Sequence, residues 1–167
     1  MRPFRFCPAD SSPLEDPDGE GGRRCPKCGR SWYRNASPTV GAAIVRDGKA
    51  LVTVRGREPN KGRLDVPGGF LGPMEHPVDG LVREVKEELG VAVEVASEDC
   101  ISMAVHTYGN EDEPVLALGF LTTYVAGEYS PDDDVADLRW VEASELDDLD
   151  FAWPHDRELV RKALEHG

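Results

Sequence analysis

The stretch PGGFLGPMEHPVDGLVREVKEELGV, residues 67–91, governs the interpretation of the whole chain. Its second half predicts a helix from Pro77 to Leu89, because proline suits a first helical position and Gly90 suits the left-handed residue after the last turn. Apolar residues recur there at intervals of three and four, so one stripe of the helix would pack on a sheet. The stripe consists of Val78, Leu81, Val82, Val85 and Leu89.

The last turns of the same helix carry a cluster of carboxylates where a helix disfavours them. Glu84, Glu87 and Glu88 fall within about 100° of one another, on the side away from the apolar stripe. Like charges four residues apart destabilise a helix by roughly 0.2–0.5 kcal/mol, and the helix dipole disfavours anions at this end. Two interpretations follow: a solvated acidic face, or a site for a hard cation such as Mg²⁺, which prefers oxygen ligands.

The spacing of the charged residues favours the second interpretation. From Gly69 the chain runs through five residues to Glu75, and then through seven residues to the segment 83–91. This pattern resembles the Nudix box, G-x5-E-x7-R-E-U-x-E-E-x-G-U with U aliphatic, at all nine constrained positions. The flanks are similar as well, so the resemblance extends over residues 32–150. Leu64 and Met74 depart from residues frequent in the family, but neither removes a charge.

The resemblance implies a Nudix-type α/β/α sandwich with a mixed sheet, and the sequence itself predicts an α/β or α+β fold. TVGAAIV and ALVTV flank Asp47-Gly48, which is a strong hairpin signal. We expect later strands in VAVEVA, CISMAVHTY, PVLALGFLTTYV and DLRWVEA, a short helix near 144–149 and a final helix near 155–166. The predicted domains are a zinc-ribbon-like segment, 1–36, and a Nudix domain, 37–167.

Membership of the Nudix family would imply hydrolysis of a phosphoanhydride in a nucleoside diphosphate linked to another group. Transferred by motif position, the resemblance makes Glu84, Glu87, Glu88 and the Gly68 carbonyl the ligands of Mg²⁺ or Mn²⁺. Such ions bridge phosphate oxygens and lower the pKa of the attacking water. Glu84, or a carboxylate from a later loop, is the candidate general base.

Further candidates surround this core of the expected active site. Asp134 lies where related enzymes supply an extra acid, although an ordinary exposed loop acid is the alternative. Arg83 is expected to hold a glutamate by a bidentate pair, and Glu75 to support the loop and helix, with metal contact also open. Arg55 and Tyr108 are candidates for substrate binding, with packing as the alternative for Tyr108.

The N-terminal cysteines resemble the two knuckles of a zinc ribbon, as in NADH-pyrophosphatase-like members of the family. Cys25 and Cys28 form a CxxC pair, whereas Cys7 is followed by Asp10 where a second cysteine belongs. A carboxylate oxygen can bind zinc, so a structural Zn²⁺ held by three cysteines and an aspartate is one hypothesis. A degenerate, metal-free ribbon is the other.

The substrate stays open among ADP-ribose-type compounds, dinucleoside polyphosphates and nucleoside triphosphates. NADH-cleaving relatives carry an S-Q-P-W-P-F-P-x-S stretch soon after the box, whereas this chain reads ISMAVHTYGNEDEP there, so the resemblance argues against NADH as the substrate. Val105 stands where ADP-ribose-specific relatives often place proline. Tyr108 falls near a tyrosine of dinucleoside-polyphosphate hydrolases.

Composition narrows the partners and the compartment. Nineteen Lys and Arg against 32 Asp and Glu give a net charge of −13, which argues against a nucleic-acid partner. A local basic cluster runs against this trend: Arg23, Arg24, Lys27, Arg30 and Arg34. No apolar run approaches the roughly 20 residues of a membrane span, and a signal-peptide core is missing. We expect a cytoplasmic protein with a small nucleotide as substrate, and a homodimer is compatible with the sequence.

The competing function class is a binding module. In that hypothesis a zinc ribbon that contacts RNA or protein is joined to a Nudix domain that senses nucleotides. An intact box favours the enzyme, because a sensor has no need of Glu84, Glu87 and Glu88 together.

Overall fold

The computed structural model describes residues 4–109, 113–132 and 134–166. A two-stranded hairpin, β1 (Arg23–Arg24) and β2 (Ser31–Trp32), precedes a mixed sheet. The sheet strands are β3 (Ser37–Arg46), β4 (Lys49–Arg55), β5 (Leu64–Asp65), β6 (Gly68–Phe70), β7 (Ala92–Glu94), β8 (Cys100–Tyr108), β9 (Glu113–Ala126) and β10 (Val135–Val141). The helices are α1 (Pro77–Leu89) and α2 (Pro154–His166), with 3₁₀ turns at Ser97–Asp99 and Ala143–Glu145.

The sheet runs in the order β10-β4-β3-β9-β7, with β5 beside β4, β6 beside β3 and β8 beside β9. Strands β3 and β9 are parallel over eight residue pairs, and the other pairings are antiparallel. The predicted hairpin is present between β3 and β4. Asp47 (φ 52°) and Gly48 (φ 73°) both adopt the left-handed conformation that a two-residue hairpin turn requires.

Alternation along β3 places one helix on each face of the sheet. Val40, Ala42 and Ile44 belong to the buried cluster that includes Leu81, Val85 and Leu89 of α1. Ala43, between them, belongs to the cluster that α2 closes with Leu159, Val160 and Ala163. Successive side chains of a strand point to opposite faces, so β3 contributes side chains to the core on each face of the sheet. The predicted α/β/α arrangement is therefore confirmed.

Helix α1 has the predicted bounds. His76 Nδ1 accepts a hydrogen bond from Val78 N–H at the start, and Gly90 (φ 71°) ends the helix in the left-handed conformation. The predicted apolar stripe is too wide, since Val82 is 37% exposed. The helix packs on the sheet along a narrower row of side chains that are four residues apart. In this row Leu81, Val85 and Leu89 are each 0% exposed.

Two predictions about the last third of the chain need correction or adjustment. The short helix expected near 144–149 is a 3₁₀ turn at Ala143–Glu145, where the Glu145 carboxylate accepts the Glu142 N–H at 2.9 Å. The final helix begins at Pro154, one residue earlier than predicted. Within the described residues, no helix has the length and apolar character needed to cross a membrane.

Candidate active site

Glu75 and Arg83 tie the loop before α1 to the helix. Nε and Nη2 of Arg83 donate to the two carboxylate oxygens of Glu75 at 2.8 and 3.0 Å. Gly72 N–H donates to Glu75 Oε2 at 2.7 Å. Hydrogen bonds from Arg83 and from Gly72 hold the pKa of Glu75 at about 2, below its usual value. The pair is bidentate, which fixes the loop; a catalytic role for either residue stays a prediction.

Arg83 also reaches two of the clustered glutamates. Its Nη1 donates to Glu84 Oε1 at 2.8 Å and to Glu87 Oε2 at 2.9 Å. Lys86 is occupied elsewhere and donates to the Gly90 carbonyl at 2.7 Å. A metal ion is therefore not the only compensation for the carboxylate cluster, because the protein supplies a guanidinium of its own. Box spacing alone did not reveal this second role of the arginine.

The three clustered glutamates occupy different environments. Glu87 has a side chain that is 54% exposed, whereas that of Glu84 is 15% exposed and Glu88 as a residue is only 9% exposed. One shared acidic face was the expectation from helical angle, but β6 covers part of it. Gly68 N–H donates to Glu88 Oε2 at 2.9 Å. Burial raises the pKa of Glu88 to about 8, because the charged carboxylate loses hydration.

Gly69 allows β6 to approach the Glu84 carboxylate. A Cβ added at position 69 would lie 2.6 Å from Cδ and Oε1 of Glu84. A side chain there would therefore displace the carboxylate or the strand. The Gly-rich loop before the helix thus has a specific geometric purpose at this position.

Asp134 is brought to the same region from the segment before β10. Its carboxylate contacts Nε of Arg57, and its backbone carbonyl accepts the Gly56 N–H at 2.6 Å. The side chain is 42% exposed, yet it lines one cavity together with Glu88 and Gly68. Asp134 is therefore close to the Nudix box, and its role as an extra acid stays a prediction.

That cavity has a volume of about 150 Å³ and is lined by residues of both helices, among them Glu88 of α1 and Asp156 of α2. Both predicted substrate-binding residues, Arg55 and Tyr108, line it. Arg55 is held firmly: Nη1 donates to Asp65 Oδ2 at 2.5 Å, and Nε donates to the Pro59 carbonyl at 2.8 Å. Its guanidinium also lies 4.7 Å from the ring centre of Trp153. The geometry places both residues at the cavity, while contact with a substrate remains a prediction.

Aromatic rings form one wall of the cavity. Tyr108 stacks on Trp153 with ring centres 5.6 Å apart, and Phe70 meets Tyr108 edge-on at 5.3 Å. His106 stacks on His155 at 4.3 Å. Burial, with His106 opposite, lowers the pKa of His155 to about 4, so this imidazole is neutral at pH 7.

Sequence reasoning missed several residues that line the cavity, among them Asp65, Trp153, His155 and Asp156. The signal for the last three is the cluster WPHD at residues 153–156, just before and within the first turn of the final helix. Acidic residues are common in the first turn of a helix because of the helix dipole, so the position of Asp156 did not by itself indicate a function.

The N-terminal segment gathers four potential metal ligands. Donor atoms of Cys7, Asp10, Cys25 and Cys28 all lie within 4.8 Å of one another. Cys7 Sγ and Cys28 Sγ are 3.7 Å apart, and Cys25 Sγ lies 3.5 Å from Asp10 Oδ2. Tetrahedral zinc with Zn–S bonds of about 2.3 Å separates its sulfur ligands by about 3.8 Å. The donor set therefore fits zinc.

The two knuckles repeat one another bond for bond. Cys7 N–H donates to the Ser12 carbonyl as Cys25 N–H donates to the Arg30 carbonyl, each at 2.8 Å. Ser11 and Gly29 return hydrogen bonds to the two cysteine carbonyls at 2.8 and 2.9 Å. Ser11 (φ 59°) and Gly29 (φ 74°) are both left-handed. Asp10 therefore stands in the first knuckle where Cys28 stands in the second.

Comparison with known proteins identifies the class. The family model described as NUDIX domain matches residues 36–163. The chain therefore belongs to the Nudix family, which confirms the predicted resemblance.

Several relatives carry functional names. "NAD-capped RNA hydrolase NudC" of Pseudomonas aeruginosa is 30% identical over 167 residues, covering 96% of this chain and 54% of that protein. "ADP-ribose pyrophosphatase" of Methanocaldococcus jannaschii is 29% identical over 121 residues, covering 71% of this chain and 69% of that protein. The chain thus spans only 54% of the length of the Pseudomonas relative. These names agree with the interpretation of the chain as a Nudix pyrophosphohydrolase.

Solved structures show the same fold. A NUDIX hydrolase from Nitrosomonas europaea superposes with a TM-score of 0.74 at 22% identity, covering 98% of this chain and 92% of that one. A MutT NUDIX hydrolase from Burkholderia pseudomallei has a TM-score of 0.63 at 30% identity, covering 78% of this chain and 97% of that one.

Proposed function

We propose that this protein is a divalent-metal-dependent hydrolase that cleaves the phosphoanhydride of a nucleoside diphosphate linked to another group. One observation carries the proposal: Glu84 and Glu88 converge on the Gly68–Gly69 backbone beside a cavity with an aromatic wall. Carboxylates next to an apolar, aromatic cleft suit a substrate with an anionic phosphate part and a planar base.

The donors at the box are carboxylate and carbonyl oxygens, the ligand type that Mg²⁺ and Mn²⁺ prefer. Glu84, Glu87 and Glu88 would hold the ion, with the Gly68 carbonyl as a further oxygen ligand. Arg83 engages one oxygen each of Glu84 and Glu87, and Gly68 N–H engages one oxygen of Glu88. When bound, the ion neutralises phosphate charge and lowers the pKa of a coordinated water.

The protein groups then orient the substrate and move the proton. Arg83 and Glu75 fix the start of α1 relative to the loop, so the glutamates keep their positions as the substrate enters. Glu84 is the first candidate for the general base, since its side chain is largely buried against Gly69. Asp134 is the second candidate, because it lines the cavity from the segment before β10.

ADP-ribose is the first substrate to test, because one relative is named an ADP-ribose pyrophosphatase. NAD is the second, because another relative is named for hydrolysis of NAD-capped RNA. Purified protein with Mg²⁺ would be given ADP-ribose, NAD, a diadenosine polyphosphate and a nucleoside triphosphate. Chromatography of the products identifies the bond that breaks. We expect AMP and ribose 5-phosphate from ADP-ribose, and full turnover in excess EDTA would contradict the metal dependence.

The N-terminal segment suggests a second, compatible candidate: contact with RNA. Arg24, Lys27 and Arg30 are exposed on the second knuckle, and the Pseudomonas relative is named for an RNA substrate. Hydrolysis of NAD and of NAD-capped RNA would be compared for the wild type and for the double variant Lys27→Ala, Arg30→Ala. A loss confined to the RNA substrate would support this candidate, and equal rates on RNA would contradict it.

A further inference from the structure

The outer edge of strand β8 takes no part in the proposed hydrolysis. Among the described residues, β8 pairs with β9 alone, so its other side faces no strand. Two contacts bound the open part of this edge. Lys162 Nζ donates to the Ile101 carbonyl at 3.3 Å, and His106 Nδ1 lies 3.0 Å from the Thr107 carbonyl. The segment between the two carbonyls, residues 102–106, is the candidate for pairing with another chain.

The other edges of the sheet are protected against pairing, whereas β8 is not. Monomeric proteins keep edge strands apart by making them short or by placing charges on them. Strand β10 exposes Asp137 and Arg139, and β7 has only three residues and exposes Glu94. Strand β8 has nine residues, CISMAVHTY, with neither a charge nor a proline, in a chain of which 31% is charged.

The unprotected edge also exposes apolar side chains. Met103 and Val105 are each 73% exposed, and Thr107 is exposed as well. Residues two apart share one face of a strand. Met103 lies opposite Leu118, which packs against the buried cluster of α1, so the exposed row is on the α1 face of the sheet. An uncharged edge with an apolar row beside it is a surface suited to strand pairing.

Charge and symmetry indicate that the partner is a second copy of this chain. A partner attracted by opposite charge would bind at acidic side chains, and this edge has none. Two copies, each with a net charge of −13, repel one another except where their contact is free of charge. Antiparallel pairing of two identical strands is closed by a two-fold axis, which is the commonest symmetry of soluble oligomers.

We propose that two copies of the protein form a dimer in which their β8 strands pair antiparallel about Ala104. In this register Met103 of each copy packs against Val105 of the other, because directly opposite side chains of paired strands touch. On the other face Ser102 lies opposite His106. The interface therefore buries no carboxylate, ammonium or guanidinium group. The proposal concerns the mass of the particle, so it does not depend on the proposed function.

Light scattering during size-exclusion chromatography tests the dimer. We expect the wild type to show twice the 18.3 kDa of one chain, with dissociation on dilution. Met103→Lys and Val105→Glu should each weaken the dimer by about tenfold or more, because each places an unpaired charge against an apolar side chain. Val125→Lys is the control, since Val125 is 49% exposed in β9 outside the proposed interface, and it should dimerise as the wild type does.

A one-to-one mixture of the two charged variants tests the register. In a mixed pair centred on Ala104, the new lysine of one chain lies opposite the new glutamate of the other, and the second contact remains Met103 against Val105. The mixture should therefore form a heterodimer although each variant alone is monomeric. Recovery of the dimer also shows that both variants are folded.

Three outcomes would overturn the proposal. They are a wild type that stays monomeric up to millimolar concentration, a dimer that persists in both single variants, and a mixture that stays monomeric. Binding of an unrelated protein at β8 would leave the wild type monomeric by itself and belongs to the first of these outcomes. Absence of hydrolytic activity would contradict the proposed function and leave the dimer unaffected.

Discussion

At the scale of single residues, one helix gives three glutamates three different environments. Glu87 is half exposed and paired with Arg83, Glu84 lies against Gly69, and Glu88 is buried against Gly68 N–H. Burial disfavours the charged form of Glu88, so a neutral glutamine should be accommodated without loss of stability, whereas the same change takes one ligand from the proposed metal site. Stability and activity should therefore respond differently at this position.

Glu88→Gln should lower kcat by on the order of 10²-fold or more, because a metal ligand contributes several kcal/mol of transition-state stabilisation. Its melting temperature without metal should equal or exceed that of the wild type, since glutamine can still accept the Gly68 N–H. Millimolar Mg²⁺ should raise the melting temperature of the wild type and not of the variant.

Steady-state kinetics and thermal melts check these expectations. Glu94→Gln, on the exposed surface of β7, serves as the control and should behave as the wild type in both measurements. Wild-type kcat in Glu88→Gln would remove this residue from the proposed site.

His155 makes stability depend on pH in a defined direction. Its pKa is about 4 in the folded protein, whereas the ordinary value of 6.5 applies to the unfolded chain. Between these values the unfolded chain binds more protons, so the free energy of unfolding falls as the pH drops from 6.5 towards 4. Above pH 6.5 the stabilising contribution is fully present. His155→Gln should therefore lose less stability than the wild type over this window.

Melting temperatures measured from pH 7.5 to pH 4.5 test this, with His166→Gln at the exposed end of α2 as the matched control. The control should follow the wild-type curve. Identical slopes for wild type and His155→Gln would show that another group dominates the acid response.

At the scale of elements, β6 and α1 act as one unit. Gly68–Phe70 pairs with β3, so the sheet core sets the position of the strand, and Glu84 and Glu88 meet its backbone from the helix. The loop between them is held by Glu75 and Arg83. Metal binding should therefore depend on the fit of this strand to this helix.

Gly69→Ala tests that fit, because its Cβ would lie 2.6 Å from the Glu84 carboxylate. We expect at least a tenfold loss of kcat and a smaller rise of the melting temperature on adding Mg²⁺. Gly72→Ala is the matched control in the same loop, since its Cβ would come no closer than 3.4 Å to any atom. Equal activity in the two variants would mean that Glu84 can move without consequence.

At the scale of the whole molecule, the chain carries two sets of potential metal ligands in two places: thiolates in the N-terminal segment and carboxylates at the box. Thiolates favour zinc, and carboxylates favour Mg²⁺. We expect about one zinc per chain in protein purified without chelators, held by Cys7, Asp10, Cys25 and Cys28. Cys25→Ser should abolish it, while Asp10→Cys should slow the loss of zinc to a chelator, since the two knuckles share one geometry.

Elemental analysis decides between the zinc ribbon and its degenerate form. Cys100→Ser is the control, because Cys100 lies in β8 outside the four-ligand group, and it should retain the metal. Substoichiometric zinc that Cys25→Ser leaves unchanged would show a metal-free ribbon. Activity towards ADP-ribose should depend on the box rather than on this zinc.

Local patterns in the sequence were sufficient for the family, the bounds of α1 and the β3–β4 hairpin. These features rest on interactions between residues close in the chain: a proline at the helix start, a left-handed glycine at its end, and an Asp-Gly turn. Knuckle spacing likewise predicted the grouping of Asp10 with the cysteines. The roles of the site residues, the domain boundary at residue 37, the compartment and the homodimer stay predictions.

Only the tertiary structure decided which charges are buried and what faces them. Helical angle made Glu84, Glu87 and Glu88 equivalent, and the packing of β6 on α1 made Glu88 the buried one. No prediction from the sequence concerned Asp156, and the fold places it beside Asp65, whose position lies 91 residues earlier in the chain. Desolvation and unpaired hydrogen bonds depend on neighbours that are distant in sequence, so no local pattern can report them.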